Sequence, residues 1–340
     1  TAQTIDSSLS FRNCNAQASD DFFVLEYIMM DDLLRCLPLG NRTRRISITD
    51  HELFQGTSIY EWKERIRNLF IHVQIEWSTK YELLMNDIFE LYHHHIPFHN
   101  HTHAYDVLQM GICLILKCNT LFEKISVVQR FTFCVALLCH DIDHRGHTNS
   151  DLDKNRSCNS SIHDCDIDDE SLHSYCSSHS HNEKHHLSTA CRLFRKHNIA
   201  YDKPLFGTLV AHTDLLRHQS FVENVQNKGS GGVFVIEDQL ILLMKLADIG
   251  HILRPWKLHL HFVHTMNMER VNPLDIRDLP GDTINFNRTF VYPLLLLMKQ
   301  MNLTFYKKLN ANYERNVQKW IEMKDFMSIN QLPNRDSFPN

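Results

Sequence analysis

An apolar stretch, FTFCVALLC, runs directly into HDIDHRGH over residues 131–147. His140 and Asp141 leave what reads as a buried helix side by side, and His144 follows one turn later if that helix continues. Imidazole and carboxylate together can hold a divalent cation or exchange a proton. Histidines also cap helix C-termini, where cationic side chains are favoured, but two His and two Asp within five residues favour a site. A second carboxylate, Asp248, ends the apolar run of LLMKLADIGH at residues 242–251. An ionised Asp there needs compensation because burying a bare charge is costly, and either a metal or Lys245 one turn back would supply it.

A third stretch, PFHNHTHAYDVLQ at residues 97–109, places His99, His101 and His103 at every second position. Residues two apart on one helix face different sides, so the three cannot all serve one site. His103 opens a predicted helix with Asp106 in its next turn. His103, His140, Asp141 and Asp248 make two imidazoles and two carboxylates, a set suited to Zn²⁺, and a shared carboxylate could reach a harder Mg²⁺ or Mn²⁺. Such a two-metal centre activates water and clamps an oxyanion, as phosphoester hydrolysis requires. Their convergence in space is an inference, because the ligands lie far apart in the sequence.

These residues must be positioned by helices. Gly and Pro are scarce, at 10 and 9 of 340 residues, and apolar residues recur at three- and four-residue intervals rather than in alternation. Helices are predicted over 59–77, 80–92, 103–117, 126–140, 187–197, 204–217, 237–268 and, with breaks, 289–326. The expected architecture is all-α: one compact multi-helix catalytic domain over 21–330, between a polar lead-in at 1–20 and a tail at 331–340. Residues 149–180, rich in Ser, Asp, Cys, His and Asn, read as an exposed loop too poor in apolar residues to pack. NKGSGG at 227–232 is a connector; it lacks the ending of a phosphate-binding loop.

Composition narrows the function. A net charge of −5 gives no electrostatic reason to expect nucleic acid as a partner, and no run of 18 apolar residues suggests a membrane span. The chain begins at Thr1 and reads as a piece of a longer one, so any membrane anchor would lie outside it. Ten cysteines are too dilute for a disulfide scaffold, and Cys113, Cys134 and Cys139 fall in apolar helical patterns, which favours a reducing, intracellular setting on the cytosolic face. Twenty-four histidines raise the expectation of a metal. Cys158, Cys165, His173, Cys176, His179 and His181 match no compact ligand spacing, and a solvated loop is the preferred reading for them.

FHNHTHAYDVLQ, HDIDHRG, NEKHHL, HTDLLRH and LADIGH occur in this order and together resemble the catalytic domain of class I 3',5'-cyclic-nucleotide phosphodiesterases, within the HD-type metallophosphohydrolases. The resemblance covers roughly residues 60–310. It implies hydrolysis of cAMP, cGMP or both to the 5'-monophosphate at a two-metal centre. By position it makes His103, His140, Asp141 and Asp248 ligands of the tight metal, usually zinc, with Asp141 also reaching a second, usually magnesium. His144, Glu183 and Thr213 match groups that hold waters on the second ion. His99 matches the general acid that protonates the departing oxygen, with Glu183 expected to orient it. Phe286 matches the aromatic that stacks on the purine and Met266 the aliphatic residue facing it; His251 and Phe98 complete the expected substrate-binding set.

One position departs from the family. The purine-selecting glutamine normally stands three residues before the stacking Phe and ten before a Pro, and counting back from Phe286 and Pro293 reaches Thr283. A hydroxyl cannot replace the paired donor and acceptor of an amide, so base selectivity is relaxed or passes to a neighbour such as Asn285 or Asn287. The interval from His144 to Glu183 is longer than usual and that from Asp248 to Phe286 shorter. Two other readings stay open on the sequence: another HD-type phosphohydrolase, or a cyclic-nucleotide-binding regulatory module with little turnover. The sequence leaves oligomeric state open.

Overall fold

The computed structural model describes residues 58–156, 174–228, 234–303 and 305–329, all in the unit Thr43–Asn340. The expected lead-in at 1–20, the tail at 331–340, residues 157–173 of the expected loop and most of the NKGSGG connector lie outside the described residues. The described residues form helices and no strand, as their three- and four-residue periodicity dictates.

Helix α1 (Ile59–His72) starts in a capping box, Ser58 and Glu61 each bonding the other's backbone N–H, so two otherwise unpaired donors are satisfied. α2 is Thr79–Leu91. α3 (His101–Lys117) is buried along almost its whole length, as expected of a helix apolar on all sides at the centre of a core. The Asn100 side chain caps it by accepting from the backbone of Thr102 and His103, so α3 begins two residues earlier than its pattern predicts. α4 (Asn119–Lys124) is one short turn, and α5 (Val127–Cys139) opens on a Ser126–Gln129 capping box. α6 (Asn149–Arg156) is helical where a loop was expected.

Helices α7 (His181–Lys196), α8 (Lys203–Ala211) and α9 (His218–Lys228) follow. The segment 237–268, predicted as one helix, divides into α10 (Ile236–Asp248), a 3₁₀ turn at Gly250–Leu253, and α11 (Trp256–Glu269). Pro255 is the reason. It forces Arg254 into an extended conformation, ψ 168°, and lacks the N–H a continuing helix needs. α12 (Leu279–Phe286), a π turn at Asn287–Val291, α13 (Tyr292–Gln300) and α14 (Tyr306–Ile329) complete the fold.

α3 packs against both α5 and α10, which also touch each other. The approach to α5 runs through Gly111, where a Cβ would stand 2.3 Å from Leu137 Cδ1. Arg254 binds α3 to the turn after α10, its Nη2 donating to Asp106 Oδ2 at 2.7 Å and to the Asp106 carbonyl. Both residues are buried, and removing one member of such a pair alone costs about 3–5 kcal/mol. Asp106, in the first turns of α3, is thereby committed to structure. From α14, Asn312 donates to the Leu253 carbonyl and Asn316 to those of Ile252 and Arg254. The last helix thus holds the 3₁₀ turn in place.

Candidate active site and metal centre

Three helix ends meet. His103 stands in the first turn of α3, His140 caps the C-terminus of α5 with Asp141 beyond it, and Asp248 is the last residue of α10. One ligand atom from each of the four lies within 4.8 Å of all the others. His140 Nε2 is 3.0 Å from Asp141 Oδ2 and 3.2 Å from Asp248 Oδ1, and His103 Nε2 is 3.5 and 3.4 Å from the same two oxygens. Both imidazoles are buried while the carboxylates keep some exposure, so the group is reached from the carboxylate side. Two helix C-termini also point their negative dipole ends at it. His103 Nε2, fully enclosed, has no hydrogen-bond partner. A buried ring nitrogen facing two carboxylates and a second imidazole fits a divalent cation once it is deprotonated.

Charge reinforces the geometry. Burial alone would lower the His140 pKa, but Asp141 and Asp248 outweigh it and hold it well above the usual value. Burial likewise opposes ionisation of both carboxylates, yet the imidazolium of His140 keeps Asp141 and Asp248 well below the usual carboxylate range. Cation binding must therefore displace protons from the imidazoles. Lys245, the alternative partner considered for Asp248, is buried with Nζ unbonded, and burial pushes it down to about 8. The contacts of Asp248 are with the histidines.

His99 lies just before the α3 cap. Its Nδ1 is hydrogen-bonded to Glu269 Oε1, while Glu269 Oε2 accepts from the backbone of Phe98 at 2.8 Å and His99 at 3.0 Å. Burial would raise the Glu269 pKa, but His99 and these amides win and lower it. The carboxylate on His99 is thus Glu269 on α11 and not, as the sequence suggested, Glu183. Glu183 Oε2 instead accepts from Asn149 Nδ2 at 2.9 Å, on α6. The His144 ring stacks on His99 at 4.0 Å, and its Nδ1 accepts from Gly146 N; burial, then the charge of His99, push it down to about 2. Thr213 Oγ1 donates to the Val210 carbonyl at 2.7 Å.

The middle histidine, His101, lies in neither group: its ring packs on Phe89 and His94, and burial lowers it to about 4. Phe98 places its ring 4.4 Å from His103 and packs with Leu258, Phe262 and Met266; it backs His103 and is not among the residues lining the neighbouring recess. That recess is lined among others by His251, Met266, Thr283, Phe286 and Asn287. Asn285 is exposed and is not among its lining residues.

The model of the 3'5'-cyclic nucleotide phosphodiesterase family matches residues 98–308, a span that begins beside His99 and takes in the whole ligand group. The chain belongs to that family. Among curated phosphodiesterases it is 25% identical over 288 residues to the cGMP-specific 3',5'-cyclic phosphodiesterase gamma of Plasmodium yoelii, covering 77% of this chain and 35% of that protein. The high affinity cGMP-specific 3',5'-cyclic phosphodiesterase 9A of Mus musculus is 28% identical over 177 residues, 48% of this chain and 30% of that protein. The chain spans about a third of the length of these relatives. The phosphodiesterase domain of the RhoPDE fusion protein from Salpingoeca rosetta superposes with a TM-score of 0.66 at 18% identity, over 89% of this chain and 100% of that one. Among the described residues, no helix of this phosphodiesterase is long and apolar enough to cross a membrane.

Two functional candidates in the phosphodiesterase chain escaped sequence reasoning. Glu269 ends α11, one residue past the predicted 237–268 helix. Its signal was an acidic residue at a helix C-terminus, where the dipole disfavours it. His186 lies in the quoted NEKHHL motif; its Nδ1 donates to the Ile142 carbonyl at 2.6 Å, leaving a buried, unpartnered Nε2 at 3.8 Å from Asp141 Oδ1. Its neighbour His185 instead contacts Asp143, so only one of the adjacent pair faces Asp141.

Glu183 yields a stability prediction. Burial, then Asp214, raise its pKa to about 7, so the folded state resists its ionisation. The resulting penalty is absent below the unfolded value near 4.5, grows as pH rises towards 7, and is constant above. In protein stripped of divalent ions, Glu183→Gln is therefore expected to raise stability at pH 8 by roughly 1–3 kcal/mol and to change little at pH 4.5. Urea midpoints of both proteins at the two pH values check this, and a variant less stable than wild type at pH 8 contradicts it.

Proposed function

We propose that this domain hydrolyses a purine 3',5'-cyclic nucleotide to its 5'-monophosphate, cGMP being the first candidate because both curated relatives named above are cGMP-specific. The observation that carries the reading is the His99–Glu269 pair set beside the four-ligand group. His103, His140, Asp141 and Asp248 would hold a tight Zn²⁺. Asp141 would be shared with a Mg²⁺ or Mn²⁺ whose waters His144, Glu183, His186 and Thr213 would bond. When bound, the metals supply Lewis acidity and a water of lowered pKa.

The protein's own residues supply the proton chemistry. Glu269 holds His99 Nδ1, which turns Nε2, on the opposite side of the ring, away from Glu269. Because the Glu269 carboxylate is kept ionised by His99 and two backbone amides, it orients the ring without competing for a substrate. Nε2–H is then free to protonate O3' as the phosphoester bond breaks, avoiding an alkoxide leaving group. Phe286 and Met266, both lining the recess, would clasp the two faces of the base.

The test is direct. Metal-loaded domain is incubated separately with cAMP and cGMP, with and without Mg²⁺, and 5'-AMP and 5'-GMP are measured. Metal-dependent 5' product is expected; no product from either nucleotide rejects the reading, and tight binding without product identifies a regulatory module instead.

A further inference from the structure

Behind the recess lined by Thr283 and His251 runs an ordered hydrogen-bonded chain that ends on His251. Trp320, fully buried on α14, donates Nε1–H to His259 Nε2 at 2.7 Å, and His259 Nδ1 lies 2.9 Å from His251 Nδ1. The indole nitrogen only donates, so His259 Nε2 carries no proton and His259 must hold its hydrogen on Nδ1. That hydrogen points at His251 Nδ1, which therefore accepts, and the His251 proton is left on Nε2. Two short links thus fix two tautomers by exclusion. Burial, which lowers His251 to about 3 and His259 well below its usual value, agrees that both rings are neutral. His251 Nε2 is buried, has no partner, and belongs to a residue lining the recess.

The other polar groups of the recess have the opposite character. The Thr283 hydroxyl spends its hydrogen on the Leu279 carbonyl at 2.7 Å, leaving lone pairs. The Asn287 amide must turn its NH₂ towards the Thr283 carbonyl, 2.8 Å away, because a carbonyl can only accept; this assigns the Asn287 flip. Asn287 Oδ1 is then a buried acceptor without a partner. The recess offers one locked donor and two locked acceptors. The pairing edge of a 6-oxopurine is an acceptor, O6, followed by the donors N1–H and, in guanine, N2–H₂. Adenine presents the reverse order, a donor at the 6-position and an acceptor at N1, which sets donor against donor and acceptor against acceptor, and such unmatched buried polar groups are what make hydrogen-bonded pockets selective.

We infer that the Trp320–His259 chain fixes His251 as a hydrogen-bond donor in the purine recess, and that this donor with the Asn287 and Thr283 oxygens selects 6-oxopurine cyclic nucleotides. The inference rests on the proposed hydrolytic activity, and Trp320 is a positioning residue that touches no substrate. In W320F the His259 Nε2 is released, so the chain can run with reversed polarity, His251 Nδ1–H donating to His259 and Nε2 turned to an acceptor.

The experiment compares kcat/KM for cGMP, cIMP and cAMP in wild type and W320F, with metal content measured in both. A wild-type preference for cGMP and cIMP over cAMP is expected, falling by about tenfold in W320F, the loss of one oriented hydrogen bond, chiefly through KM for the oxopurines and with metal retained. Long-range ¹H–¹⁵N spectra of histidine-labelled wild type, with His251 assigned by H251N, should show its Nε2 protonated and Nδ1 bare from pH 6 to 8. Protonation of His251 on Nδ1, equal use of cAMP and cGMP by wild type, or an unchanged ratio in folded W320F each overturns this inference while leaving phosphodiesterase activity standing. Absence of any hydrolysis by wild type overturns the activity, and the tautomer spectra still decide the chain.

Discussion

Substituting His99 by asparagine is expected to lower kcat for cyclic nucleotide hydrolysis by about 10²–10⁴-fold, the usual worth of a positioned general acid, while the bound metal stays stoichiometric. The expectation follows from placement: His99 bonds Glu269 and stacks on His144 but is absent from the group formed by His103, His140, Asp141 and Asp248. A cyclic substrate analogue with a better leaving group at O3' should recover much of the lost rate, because such an oxygen departs without a proton. Loss of metal in the variant, or an equal deficit with the activated analogue, would contradict the role. Glu269 acts one step removed, through orientation, so its effect should be smaller and should vanish in the His99 background.

The second large effect is at Asp248. Asp248→Ala leaves His103 and His140, both fully enclosed, facing a single carboxylate, and a cation there would meet three protein ligands in place of four. Tight-metal affinity should fall by more than about 100-fold, the loss that removing even an outer-shell partner can reach, and turnover should disappear at ordinary metal concentrations. Metal analysis after dialysis and activity against added Zn²⁺ check this; a variant that retains stoichiometric metal would remove Asp248 from the ligand set. The contrast between the two variants separates binding the ion from using it.

The all-helical fold was readable because the chain spaces its apolar residues at helical intervals and uses few breakers. Boundaries were less so: the α3 start depended on the Asn100 side chain, and the break after Asp248 on the conformational demand Pro255 makes on Arg254. The ligand candidates stood out because each follows or opens an apolar run, where a charged group needs explanation. Glu269 did not, since no local pattern says which of the 40 aspartates and glutamates will turn towards His99 from 170 residues away. Nor could the His251–His259–Trp320 chain be read, because its links join residues 8 and 61 positions apart, and hydrogen-bond polarity exists only once the partners have met.

Gly111 has no chemistry of its own, yet it lies two turns along α3 from His103, about 12 Å, against Leu137, which precedes His140 by less than one turn. The absent side chain sets how near the two helices that carry His103 and His140 can come. The gauge of the candidate cage is therefore written in the hydrocarbon interior, so that drift in core volume at this one crossing would shift the spacing of His103 and His140 without altering either residue.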